Sequence, residues 1–171
     1  MARTFKHTDK VARWADLVQR CIGLHGLEAV LDRSVVLALI HVESNGNPQA
    51  RRQGSQFCGL LQMGRAAGMD VGFTDAGRDT TAEFVGAPMW SIDSFLRYLR
   101  RYSDRHTWDP EHIAVLWKGG PGTLRMWQDA ETDNDGIPPE DEDEFNRGWR
   151  EAVPVYVGYF WAALEVWNGS T

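Results

Sequence analysis

The stretch Ser34-Val-Val-Leu-Ala-Leu-Ile-His-Val-Glu43 decides how this sequence folds. It is apolar almost all the way round a helical wheel, and a helix of that kind is buried inside a domain rather than laid on its surface. Asp32 stands just ahead of it as an N-cap candidate, because its carboxylate can accept from the first unpaired backbone N–H groups. Asn45, Gly46 and the pair Asn47-Pro48 stop it. The chain therefore has a central apolar helix that ends on a carboxylic acid.

Outward from this helix the pattern is mainly α. Val11, Trp14, Ala15, Val18, Cys21 and Ile22 keep helical spacing behind the cap candidate Thr8, with Gly23 and Gly26 at the end, which predicts an N-terminal helix within residues 1–26. From Gln49 to Met89 the chain is rich in Gly and polar residues, and the expectation there is loops, one or two short helices and a small hairpin. Ile92, Phe95, Leu96, Leu99 and Tyr102 mark an amphipathic helix. Asp109-Pro110 opens another, predicted to end at Trp117 before Gly119 and Gly120. A last apolar stripe runs from Phe145 to Trp167, and Pro154 interrupts it, predicting either a kink or a break. The expected architecture is one domain over 1–171, of around six helices, with its core at about 30–167.

The 171 residues suit a single domain with its own core, and hydrophobic residues at 43% with eight tryptophans argue against global disorder. A net charge of -6 and a pI near 5.3 argue against nucleic acid as a partner, since that binding needs clustered cations facing phosphates. Arg97, Arg100, Arg101 and Arg105 form a basic run and Asp129 to Glu144 an acidic one, both read as solvated surface. Residues 1–20 lack the apolar core of a signal peptide, and no apolar run reaches membrane-spanning length. Cys21 and Cys58 are too few for a thiolate metal site, so buried free thiols are the expectation, with one bridge as the alternative.

Glu43 carries the candidate chemistry. It follows Leu39 by four residues and Ile40 by three, so it shares a side with apolar neighbours. It also sits where the helix's unpaired carbonyls concentrate negative charge. Both influences favour the neutral acid, the form that can donate a proton to a glycosidic oxygen.

The blocks Glu43-Ser44-x-x-Asn47-Pro48-x-Ala50, Gly59-Leu60-Leu61-Gln62-Met63 and Trp117-Lys118-Gly119-Gly120-Pro121-Gly122, in that order, resemble the signature blocks of the soluble lytic transglycosylase family. The Ile92 to Tyr102 helix and the pair Tyr156-Val157 are similar to later parts of the same pattern, so the resemblance spans roughly residues 30 to 165. It implies a lysozyme-like fold and cleavage of the β-1,4 bond between N-acetylmuramic acid and N-acetylglucosamine. One glutamate, here Glu43, would act first as acid and then as base, leaving a 1,6-anhydromuramyl end. The resemblance also implies that Ser44 bonds near the end of the catalytic helix, and that Gln62, Met63, Trp117, Lys118 and Tyr156 surround substrate. The partner implied is the peptidoglycan glycan strand, reached at the bacterial wall or periplasm from a cytoplasmic site of synthesis, as a virion part or through a dedicated route. No cofactor is implied.

The sequence departs from the family pattern at several points. Trp117 and Lys118 stand where the family has Tyr and Asn, Arg65 where Pro is common, and Ala152 where a Glu is usual, with Glu151 one step off. The interval between Glu43 and the second block is one residue longer. These departures fit a divergent, bacteriophage-associated member. Two alternatives stand beside the transglycosylase: a goose-type, lysozyme-like hydrolase in which Asp70 or Asp75 holds water, and a non-catalytic wall-binding or virion structural protein that keeps the fold. Glu131, Asp133, Asp135 and Glu142 partly match a calcium loop, against which stand the first-position Glu and Pro138-Pro139; a solvated acidic loop is the preferred reading and no metal is assigned. The five histidines show no zinc-ligand spacing. Trp14, Trp149 and Trp167 are read as core, and Trp90, Trp108 and Trp117 as candidates for sugar contact.

Overall fold

The apolar run folds as expected into a helix, Arg33–Ser44, in which every residue from Ser34 to Val42 is buried. Asp32 caps it, its Oδ1 accepting from Ser34 N at 2.7 Å, and Asn45 ends it in the left-handed region at φ 51°. In the computed structural model, residues 5–51, 56–75, 78–79, 86–104, 107–133 and 144–169 are described, with the backbone alone at 74–75, 78–79, 130–133 and 144–150. The elements are α1 (Asp9–Ala12), α2 (Ala15–Leu24), α3 (Arg33–Ser44), α4 (Arg65–Asp70), β1 (Thr74–Asp75), β2 (Arg78–Asp79), α5 (Pro88–Arg101), α6 (Pro110–Asp133) and α7 (Glu144–Asn168). The protein is thus mainly α, with one short antiparallel pairing, Thr74 opposite Asp79 and Asp75 opposite Arg78. No described helix is long and apolar enough to cross a membrane.

Packing follows the apolar faces. α7 lies along α3, α1 and α2 cover other sides of it, α5 packs on α2, and α6 packs on α7. Val36, Ala38, Leu39 and Ile40 of α3 meet Ile92, Phe95, Leu96 and Leu99 of α5, Ile113 to Leu116 of α6 and Phe160 of α7 in one continuous core. Each large aliphatic side chain removed from water contributes roughly 1.5–3 kcal/mol before the cost of ordering it. Cys21 and Cys58 are both buried and unbridged.

Three expectations change. The N-terminal helix is two helices, because the chain bends at Arg13 and Trp14 and Trp14 N bonds Val11 O in a tighter turn. The bend turns Trp14 out of the core to half-burial, where its Nε1 donates to Gly46 O at 3.0 Å; Gly23 lies inside α2, which ends at Leu24. The helix opened by Asp109-Pro110 does not finish at Trp117. It runs on to Asp133 across a corner at Gly120, whose φ of 78° and ψ of -179° no helix contains. Trp127 Nε1 reaches Glu111 Oε1 at 3.1 Å across that corner, so the half after Pro121 folds back beside the half before it. A straight helix would separate residues sixteen apart by about 24 Å. By contrast the backbone of α7 passes through Pro154 as one helix, with the proline on an exposed face. The Trp149 side chain and most of the 131–142 acidic loop lie outside the described residues.

Candidate functional site

The site begins at the end of α3. Glu43 is half-buried, and Tyr156 from the middle of α7 donates its hydroxyl to Glu43 Oε1 at 2.6 Å. A contact this short across 113 residues fixes which way the carboxyl points. Burial, and secondarily the neighbouring carboxylate, push the Tyr156 phenol well above its ordinary value. It therefore stays protonated and acts as a donor. Lys118 projects from α6 with its ammonium 5.1 Å from the centre of the Tyr156 ring, a cation–π contact on the exposed side of the pair. Ser44 turns its hydroxyl back to Ile40 O at 3.2 Å and so satisfies one of the carbonyls orphaned at the helix end.

The second block forms a loop held by side chains. Asn47 Oδ1 accepts from Gln49 N, making a side-chain turn after α3. Ala50 O then accepts from both Gly59 N at 3.1 Å and Gln62 Nε2 at 2.9 Å. Gln62 Nε2 also donates to Gly59 O at 2.9 Å, so both amide hydrogens staple the loop and the carbonyl oxygen is the end that can face a ligand. Gln62 stands at φ 50° and Gly59 at φ 83°, the two left-handed residues that close this turn. Ser91 of α5 supports it from behind, its Oγ accepting from Leu61 N at 3.3 Å.

Met63 is corrected: it has no exposed surface and packs with Cys58 and Phe73 beneath the loop, so its part is support rather than substrate contact. Trp117 has a structural part besides the one expected of it. Its indole N–H donates to Leu61 O at 3.0 Å, and its ring stands edge-on to Phe95 at 4.9 Å and Tyr98 at 5.5 Å. A half-buried ring fixed at its polar edge and on its flanks joins the loop to α6, which a free sugar-stacking ring would not do. Among the other candidates, Trp90 is 41% exposed and edge-on to Phe73, while Trp108 is half-buried against the core.

The blocks separated in sequence are thus tied together in space. Glu43 meets Tyr156, Tyr156 meets Lys118, Lys118 follows Trp117, and Trp117 holds the loop that carries Gln62. No protein-family profile matches the chain, and no curated protein matches it.

Sequence reading missed the support behind Glu43. Arg13 and Trp14 both donate to Gly46 O, at 3.1 and 3.0 Å, two residues beyond Ser44. A Cβ at Gly46 would lie 2.3 Å from Lys10 O, so only glycine lets α1 come this close. Gly46 was legible as a helix stop, but nothing in the sequence indicated its partner. Asp70, a candidate water-holding aspartate, accepts the Tyr102 hydroxyl at 2.8 Å and so links α4 to α5. Asp75 lies on β1, where only the backbone is described. Among the described residues no group of His, Cys, Asp and Glu is arranged to hold a metal.

Proposed function

We propose that this protein is a peptidoglycan lytic transglycosylase of lysozyme-like fold, cleaving the N-acetylmuramic acid–N-acetylglucosamine β-1,4 bond with Glu43 as its single acid and base. The observation that carries this reading is the 2.6 Å contact between Glu43, at the end of a buried helix, and the buried Tyr156 hydroxyl. Such a carboxyl is held in one orientation by a donor that does not ionise in the working range. In the acid step Glu43 gives its proton to the glycosidic oxygen as the bond to the muramyl C1 breaks. The Tyr156 hydroxyl then bonds to the resulting carboxylate, where negative charge has newly formed. In the base step the same carboxylate takes the proton of the muramyl C6 hydroxyl as its oxygen attacks C1. The 1,6-anhydro ring closes and Glu43 is protonated again. One carboxyl thus serves both steps, whereas hydrolysis with two carboxylates needs a second acid. Asp70 is engaged by Tyr102 instead.

The seat of this activity is the bacterial cell wall, reached as a virion part or by a dedicated route. The deciding experiment is mass spectrometry of purified sacculi digested by wild type and by Glu43→Gln. Anhydromuramyl ends from wild type alone are expected. Reducing muramyl ends would replace this mechanism with hydrolysis, and equal inactivity of two folded proteins would replace it with a structural role.

A further inference from the structure

Glu111, in the first turn of α6, holds two tryptophans at once. Its Oε1 accepts from Trp127 Nε1 at 3.1 Å and its Oε2 from Trp161 Nε1 at 2.8 Å. With their N–H groups turned onto one carboxylate, the two indoles are fixed in orientation. Trp161 is 39% exposed, and its polar edge is already satisfied. What it offers to solvent is therefore apolar surface.

The frame around that ring is small and polar. Gly158, three residues earlier on the same side of α7, is exposed, and a Cβ there would meet nothing within 4 Å. Glu165, four residues later on that side, is exposed as well. One indole face with a bare strip on one flank and carboxylate acceptors around it does not make an apolar docking patch. It suits a neutral, polyhydroxylated ring, whose C–H face stacks on the indole and whose hydroxyls donate to carboxylate oxygens. A carboxylate has about four lone-pair sites, so Glu111 keeps acceptor capacity after receiving two indole N–H groups.

The location connects this ring to Glu43. Lys118 follows Glu111 by seven residues, so the two share a face of α6 and lie about 10 Å apart along it. Lys118 meets α7 at Tyr156, the partner of Glu43, and Glu111 meets α7 at Trp161. The seam between α6 and α7 therefore carries Tyr156, the partner of Glu43, at one level and Trp161 five residues, about 7.5 Å, further along α7. We propose that Trp161, oriented by Glu111, is a distal glycan-binding subsite that holds the same strand away from the bond being cut.

This subsite rests on the glycan-cleaving reading of Glu43, and the test separates the two. Binding of the β-1,4-linked N-acetylglucosamine hexamer and dimer is measured by calorimetry on Glu43→Gln, alone and combined with Trp161→Ala, Trp161→Phe or Gly158→Leu. Trp161→Ala is expected to weaken the hexamer about tenfold and leave the dimer unchanged, a step typical of one good contact. Trp161→Phe keeps a stacking face and should weaken the hexamer only slightly. Gly158→Leu, at an open helical position that tolerates a side chain, should weaken the hexamer alone by crowding the strip beside the ring. Hexamer affinity indifferent to both positions, or dimer and hexamer weakened alike, overturns the subsite. A wild type that releases no anhydromuramyl product while hexamer binding still depends on Trp161 overturns the enzyme and leaves the subsite standing.

Discussion

The two walls around Glu43 are built on different principles. On the helix wall, α3 and α7 are pressed together by burial, and the contact from Tyr156 to Glu43 is the polar tip of an apolar interface. On the loop wall, residues 56–63 have little regular structure; beside the burial of Leu60, Leu61 and Met63 and the backbone pairing of Cys58 with Met63, they depend on side-chain bonds with the main chain: Gln62 with Ala50 and Gly59, Ser91 with Leu61, and Trp117 with Leu61. Burial tolerates small changes in a partner, whereas each of these bonds is lost when its side-chain donor or acceptor is removed. The helix wall should therefore lose chemistry before stability, and the loop wall stability before chemistry.

Tyr156→Phe tests the first half most severely. The ring remains to fill the interface and the donor to Glu43 is lost, so kcat on sacculi should fall about a hundredfold, the cost of removing one such donor. Little change in thermal stability is expected. A variant within a factor of about three of wild type would mean that the contact is packing and nothing more. Trp117→Phe tests the loop wall: Leu61 O loses its indole donor, and unfolding should become easier by about 1–2 kcal/mol while the chemical step is little affected. A denaturant midpoint equal to wild type would break the contrast. Gln62→Ala removes both bonds that close the same loop, and a destabilisation of about 1 kcal/mol together with a raised KM is expected.

The smallest effect is on alkaline stability. The folded-state phenol of Tyr156 is raised, first by burial, and those of Tyr98 and Tyr102 are raised as well. Above the ordinary tyrosine value near 10 the unfolded chain releases these protons and the native one keeps them, so stability present below that pH is lost as pH rises. Tyr156→Phe should flatten this fall by about 1 kcal/mol near pH 11, measured as the melting temperature from pH 9 to 11.5. An unchanged slope would place the titration elsewhere.

Much of the helix wall was legible in the sequence, because burial leaves a periodic trace. The run from Ser34 to Val42, the Asp32 cap, the Asn45 stop and the Ile92 to Leu99 face all read directly, and so did the opening of a helix at Asp109-Pro110. The loop wall was not legible in the same way. Its motif residues could be named, but whether Trp117 faces sugar or holds Leu61 depends on a bond between residues 56 apart, which no local pattern encodes. Met63 looked like a cleft residue for the same reason and is instead beneath the turn. The half of α6 after Gly120 was missed because a glycine pair followed by proline signals an end equally well whether the chain departs or doubles back. The break at Trp14 followed from a partner, Gly46 O, that lies 32 residues away.

That last contact ties the start of the chain to the end of the helix that carries Glu43. Residues 9–14 touch no part of the proposed glycan path, yet they grip the backbone three residues past Glu43 through two donors and a contact that admits no side chain. A change of side chain at Arg13 or Trp14 would therefore loosen the turn that closes α3, although neither residue belongs to that helix.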